Sequence, residues 1–173
     1  APFALPLPWE RLKGIDYGYA SESCCLWGTL DINDGTLIIY RELYKKNLTG
    51  VELASIITDM ETEDPFSVNG VLDTAAWAKT GTTGPTVGES LVRAGHKLRR
   101  ADKNRIQGKI QIHEYLKVKE NGRPRLQIFN TCPNLIRELQ SIPLSKTNPE
   151  DVDTHASDHA YDALRYMLSL IHI

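Results

Sequence analysis

Two distant acidic segments carry the residues most able to do chemistry: Leu12-Lys13-Gly14-Ile15-Asp16-Tyr17-Gly18, and His155-Ala156-Ser157-Asp158-His159-Ala160-Tyr161-Asp162. The first reads as a carboxylate at a strand end, followed by a glycine that lets backbone or ligand approach closely. The second reads as carboxylates and imidazoles at the start of a terminal helix. Neither segment needs its charge to fold, and nothing obvious nearby in sequence neutralises either one. If the fold joins them, a divalent cation is the natural partner of the combined negative charge.

Asp73 repeats the first arrangement at the end of the apolar run Val68 to Leu72. Two hard cations a few ångströms apart need several oxygen ligands, and such a pair can activate water and stabilise the leaving oxygen in phosphodiester hydrolysis. Asp16, Asp73, Asp158 and Asp162 can supply that charge. On a helix, His155, Asp158 and Asp162 fall within roughly 60° of arc, nearly opposite the apolar stripe. Plainer readings exist for each acid: a turn aspartate at 16, a helix cap at 73, a solvated helix face for the last group. The order of strand carboxylate, second strand-end carboxylate and late-helix carboxylate is more specific than any single member.

A second constellation is basic. Arg93, Lys97, Arg99, Arg100, Lys103, Arg105 and Lys109 are opposed only by Asp102. Such a run can neutralise backbone phosphates without reading bases, which would make binding salt-dependent. A solvated surface is the alternative, and no paired Cys/His finger or other base-reading module is visible.

The elements that must position these residues follow from pattern. Lys13 to Tyr17 and Cys24 to Ile32 read as strands, and Asn33-Asp34-Gly35 turns the chain into a third strand over Thr36 to Tyr44. Thr49 caps a helix to Thr58 with Val51, Ala54 and Ile57 spaced along it, and Ser67 to Leu72 reads as a buried strand. After a Gly/Thr/Pro loop over Thr80 to Gly88 comes a brief helix through Leu91 and Val92, stopping near Gly95. A helix from Asn104 to Leu116 turns Ile106, Ile110 and Tyr115 inward, Arg125 to Phe129 is a strand, and Asn134 to Ser141 is helical. Asp153 or Thr154 caps the last helix, with Ala160, Leu164, Met167, Leu168 and Ile171 as its stripe. Three antiparallel strands followed by alternation with helices predict an α/β fold with a mixed sheet flanked by helices.

At 173 residues and 41% hydrophobic content the chain can bury one core, and a net charge of −2 means that any polyanion-binding surface must be local. Cys24, Cys25 and Cys132 form no C-x-x-C pair, which argues against a zinc site and suits a reducing compartment. No apolar run reaches the ~18 residues of a spanning helix, so no membrane partner is expected. Residues 1 to 10, with Pro2, Pro6 and Pro8, read as an extended linker from something upstream.

With these residues in place, the chain resembles the C-terminal nuclease domain of the large terminase subunit of tailed bacteriophages, of ribonuclease H-like fold. The resemblance covers nearly all of residues 11 to 170. It runs through Gly14 to Gly18, the Asp34-Gly35 hairpin with Tyr40 to Tyr44, Leu72-Asp73, Gly84 to Gly95, Ile128 to Ile136 and, most specifically, Asp158-His159-Ala160-Tyr161-Asp162-Ala163-Leu164-Arg165-Tyr166. It implies a nuclease over residues 11 to 173 that cuts concatemeric double-stranded viral DNA with two Mg²⁺ or Mn²⁺ ions. Asp16, Asp73 and Asp158 would be the catalytic metal ligands, with Asp162 or His155 completing the site. It also implies an N-terminal ATPase domain upstream of residues 1 to 10, a small subunit and a portal as partners, and the host cytoplasm as the location. No P-loop occurs in this chain, so an ATPase must lie outside it. A junction resolvase or transposase-type nuclease would use the same acids on differently shaped DNA, and a non-catalytic DNA-binding or docking module would use them as caps. An actin-like kinase would need two such domains.

Overall fold

A computed structural model describes residues 1–79, 84–102, 104–141 and 158–171. Six strands form one mixed sheet: β1 (Arg11–Asp16), β2 (Ser23–Leu30), β3 (Leu37–Lys45), β4 (Asn69–Leu72), β5 (Lys97–Arg100) and β6 (Leu126–Ile128), in the order β5-β4-β1-β2-β3-β6. The first three are antiparallel, as expected from the sequence. β4 then joins β1 in parallel, β5 joins β4 and β6 joins β3. Because β1 and β4 run the same way, Asp16 and Asp73 leave the sheet at the same end.

Helices α1 (Gly50–Met60) and α2 (Val87–Arg93) belong to one side of the sheet, and α5 (His159–Ile171) lies on the other, flanked by α3 (Arg105–Leu116) and α4 (Pro133–Ser141). The pleat assigns alternate residues of β1 to the two cores. Ile15 packs with Leu53 and Ile57 of α1, whereas Leu12 packs with Leu164 and Met167 of α5. Gly14 is what lets α5 come so close: a Cβ there would collide with the carbonyl of Ala163. Asp16, two residues on, therefore emerges beside the first turns of α5.

Local chemistry explains most boundaries. Thr49 and Glu52 form a reciprocal capping box on α1. Gly35, at φ 75°, closes the hairpin by donating to Asp31 O at 2.9 Å. Four expectations need correction. Val51 is exposed, and Leu53 joins Ala54 and Ile57 on the buried face of α1. Ile110 is 46% exposed, because α3 meets α5 through Gly108, Ile112 and Tyr115, and position 110 points away from that stripe. The basic run contains a strand, β5, that its composition does not announce, since an edge strand needs few apolar residues and tolerates charges; here Leu98 alone packs inward. The stripe on α5 is too narrow a description: Tyr161, Ala163, Arg165 and Tyr166 are buried as well. The Ile106 side chain and the Asp153/Thr154 cap lie outside the described residues.

The segment before β1 is held against the domain. Trp9 is buried with Ile38 and Phe129, and the Arg11 guanidinium donates to the carbonyls of Leu5, Pro6 and Trp9. All three cysteines are buried free thiols. Among the described residues no helix is long and apolar enough to cross a membrane.

Candidate metal centre

Two of the acids read from the sequence, Asp16 and Asp73, stand at the C-terminal ends of the neighbouring parallel strands β1 and β4. Asp73 donates its backbone N–H to Ile15 O at 3.0 Å, which fixes the two strand ends side by side. The Asp73 carboxylate accepts from Ala75 N at 3.1 Å, capping a 3₁₀ turn over Thr74–Trp77, so the plainer cap reading is realised at this position too. From α5, Asp162 lies within electrostatic reach of Asp16, as does Asp73. Asp158 precedes α5, its carbonyl accepting from Asp162 N at 2.8 Å, and its charge acts on His159. His155 lies outside the described residues.

Asp16 is 8% exposed. Burial pushes its carboxyl up to about 7; a hydrogen bond from His159 opposes this, and the charges of Asp162 and Asp73 add to it. Residues that the sequence reading gave no role in the site hold these acids in place. His159 bridges two carboxylates, with Nδ1 3.4 Å from Asp16 Oδ2 and Nε2 3.3 Å from Glu22 Oε2. Its bond to Asp16 raises its own pKa. Arg165, 5% exposed, donates through Nε and Nη2 to Asp162 Oδ1 at 3.2 and 3.0 Å. Its stem fits only because residue 108 of α3 is glycine. Glu138, 1% exposed, accepts from the backbone N–H groups of Ala160 and Tyr161 at 2.9 and 3.0 Å, capping the α5 turn that bears His159. An acid within a short helix, far from α5 in sequence, gives no signal of that contact.

Whether this set suits a divalent cation is a question of donors. Among the described residues no three His, Cys, Asp or Glu side chains form a ready-made cage. Asp16 faces the His159 imidazole instead, and Asp162 the Arg165 guanidinium. The excess of hard oxygen donors, and an Asp16 proton held by burial and like charge, are what a Mg²⁺- or Mn²⁺-type ion would relieve.

That proton yields a prediction for the metal-free protein. The folded-state pKa of Asp16 lies above its unfolded value, so its contribution to stability is present at low pH and is lost as pH rises toward about 7. The melting temperature of Asp16→Asn minus that of wild type, in EDTA, should therefore grow from pH 4 to pH 8, reaching the equivalent of a few kcal/mol. A difference that does not vary with pH would show that Asp16 is not under this strain.

The basic run is dispersed by the sheet. Arg99 and Lys97 line a cavity with Leu170 of α5, Arg100 stacks on Trp77 at 5.6 Å on the other face, and Arg93 ends α2. Lys109 is 4% exposed, buried within α3 rather than offered to a surface ligand. Lys103 and the Arg105 side chain lie outside the described residues.

No protein-family profile matches the chain, and no curated protein does. Solved structures do match. The large terminase nuclease domain of P22 superposes with a TM-score of 0.76 at 16% identity, over 99% of this chain and 86% of that one. The large terminase of a thermophilic bacteriophage superposes with 0.75 at 16% identity over 98% of this chain, which spans 42% of that protein. The large terminase nuclease domain of bacteriophage SPP1, solved with bound Mn, gives 0.62 at 16% identity, over 94% of this chain and 86% of that one. The chain thus has the mixed α/β, ribonuclease H-like fold. More particularly, that fold is similar to the fold of these large terminase nuclease domains.

Proposed function

We propose that this chain is the metal-dependent nuclease domain of a viral DNA-packaging terminase large subunit, cleaving concatemeric double-stranded DNA. The observation that supports the reading is that Asp73 and Asp162, from a parallel strand end and a helix, lie within electrostatic reach of the buried Asp16, whose carboxyl is pushed up to about 7. The Mn bound by the SPP1 domain supports the choice of ion class. Asp16 and Asp73, with Asp158 and Asp162 from the start of α5, would hold two divalent ions, Mg²⁺ or Mn²⁺. Such ions activate water and stabilise the leaving oxygen. The chain's own residues orient and neutralise: Glu138 fixes the first turn of α5, Arg165 aims Asp162, and His159 can hold a proton at Nδ1 beside Asp16. By the same reading an ATPase domain precedes residue 1, and a small subunit and portal assemble with the whole protein in the host cytoplasm. The thermophilic phage's large terminase, much longer than this chain, has been solved with ADP.

The test is cleavage of linear duplex DNA with Mn²⁺ and with EDTA. Cutting with little sequence preference, abolished by chelation, is the expected result. Activity surviving complete chelation overturns the metal mechanism. A strong preference for branched over linear DNA favours a junction-resolving nuclease, and the absence of any Mn²⁺-induced rise in melting temperature favours a non-catalytic module.

A further inference from the structure

His159 stands between two surface cations that the expected basic run does not include. On one side, Glu22, which meets His159 Nε2 at 3.3 Å, also lies 3.8 Å from Lys46 Nζ. On the other, the ring of Tyr44 stands edge-on to His159 at 6.2 Å, and the Arg137 guanidinium stacks over that same ring at 5.5 Å. The register makes this proximity structural: Asp16 pairs with Cys24, and Cys24 with Tyr44, so the end of β3 arrives where the acids are.

Arg137 is pre-oriented. Nη1 donates to Asn134 Oδ1 at 2.8 Å and Nη2 to Tyr44 Oη at 3.3 Å, and Nη2 also lies 3.7 Å from Glu138 Oε2, yet 55% of the side chain stays exposed. A guanidinium fixed on an aromatic face with an open edge suits a phosphate oxygen and loses little side-chain entropy on binding. Lys46 is 57% exposed, and its exposed pair with Glu22 is the weak kind that a phosphate can displace. Across the acids, Arg100 ends β5 opposite Leu72, the residue before Asp73.

We propose that Arg137 and Lys46 form a phosphate-binding arm for duplex DNA on the β3/α4 side of the acid centre, with Arg100 contacting the backbone on the β5 side. The duplex then crosses the acids between two groups of cations, which offset the repulsion between the carboxylates and the DNA. This inference rests on the nuclease reading and specifies where its substrate lies.

The test is binding of a short duplex, followed by fluorescence anisotropy over a salt series in EDTA so that no strand is cut. Arg137→Gln and Lys46→Gln should each flatten the slope of log K against log salt by about 0.9. The double variant should bind about ten- to hundredfold more weakly. Lys117→Gln with Arg123→Gln, exposed cations beyond α3 near the opposite end of the sheet, serves as the control and should leave the slope unchanged. Melting temperatures report folding, and the Lys46→Gln substitution at an exposed position keeps the test open if Arg137→Gln is destabilised. Unchanged slopes in the Arg137 and Lys46 variants, or equal losses in the control, overturn the arm while leaving a DNA-binding nuclease in place. A wild-type protein that binds no duplex overturns both.

Discussion

Asp16→Asn is expected to abolish Mn²⁺-dependent cleavage and the Mn²⁺-induced rise in melting temperature together, while the metal-free protein folds at least as stably as wild type. Losing a partner that merely orients a ligand costs about 10–100-fold, so losing a carboxylate at the centre of the site should cost more. A site-bound ion at ~100 times its dissociation constant stabilises by about 2.7 kcal/mol, an easily read shift in melting temperature. Asp73→Asn should behave alike, because an asparagine can still accept the Ala75 N–H that Asp73 now caps. Asp162→Asn should differ. Its carboxylate neutralises Arg165, which is 5% exposed, and removing one partner of a buried pair leaves an uncompensated charge. Asp162→Asn should therefore lose both metal response and stability. Melts of the three variants with and without Mn²⁺ separate ligands from structural partners, and normal cleavage by Asp16→Asn would refute the centre.

The largest effect on folding is expected on the other face of the sheet. Lys13 is fully buried in β1 and donates to Glu61 Oε2 at 2.7 Å and to Nδ1 of His96 at 2.8 Å. Glu61 also accepts from Trp27 Nε1 at 2.8 Å. An ammonium can only donate, so His96 must accept at Nδ1 and carry its proton on Nε2, which faces Thr58 Oγ1 at 3.0 Å. Lys13→Met should cost about 3–5 kcal/mol by leaving Glu61 without its counter-charge. For a domain of this size that is roughly 6–20 °C in melting temperature. Adding Glu61→Gln should recover part of the loss, since the amide oxygen still serves Trp27. Burial, then the Lys13 charge, lowers the pKa of His96. The neutral ring's contribution to stability is thus full above the unfolded value near 6.5 and is lost as pH falls below it. In Lys13→Met that acid loss should be shallower, because Glu61, 3.8 Å away, then favours the imidazolium. Urea melts at pH 5 and pH 8 check both statements, and a Lys13→Met protein as stable as wild type would mean that the buried pair contributes nothing net.

Much of the architecture was legible in the sequence because it is written in local rules. The strand-forming runs Lys13 to Tyr17 and Cys24 to Ile32, the Asn33-Asp34-Gly35 turn and the Thr49 cap each act over a few residues, and each appears near its expected place. Where burial depends on a neighbour, local reading fails. Val51 and Ile110 sit at plausible helical spacings and yet face solvent, because the helices rotate to present Leu53 and Ile112 to partners that the sequence does not name. The Lys97–Arg100 run was legible as charge, and only its pairing with β4 makes it a strand.

The sequence by itself determined the kinds of chemistry available: hard oxygen donors at strand and helix ends, no thiolate pair, and cations able to meet phosphate. Tertiary structure decided which of them meet. Parallel pairing of β1 with β4 sets Asp16 beside Asp73, and Gly14 admits α5, whose Asp162 lies within electrostatic reach of Asp16. The partners that hold these groups, Glu138, Arg165, His159, Tyr44 and Arg137, come from α4, α5 and β3, and the distances that join them are those of the folded chain. Metal and phosphate sites depend on charge separations of a few ångströms, and only long-range packing sets such separations between residues more than a hundred positions apart.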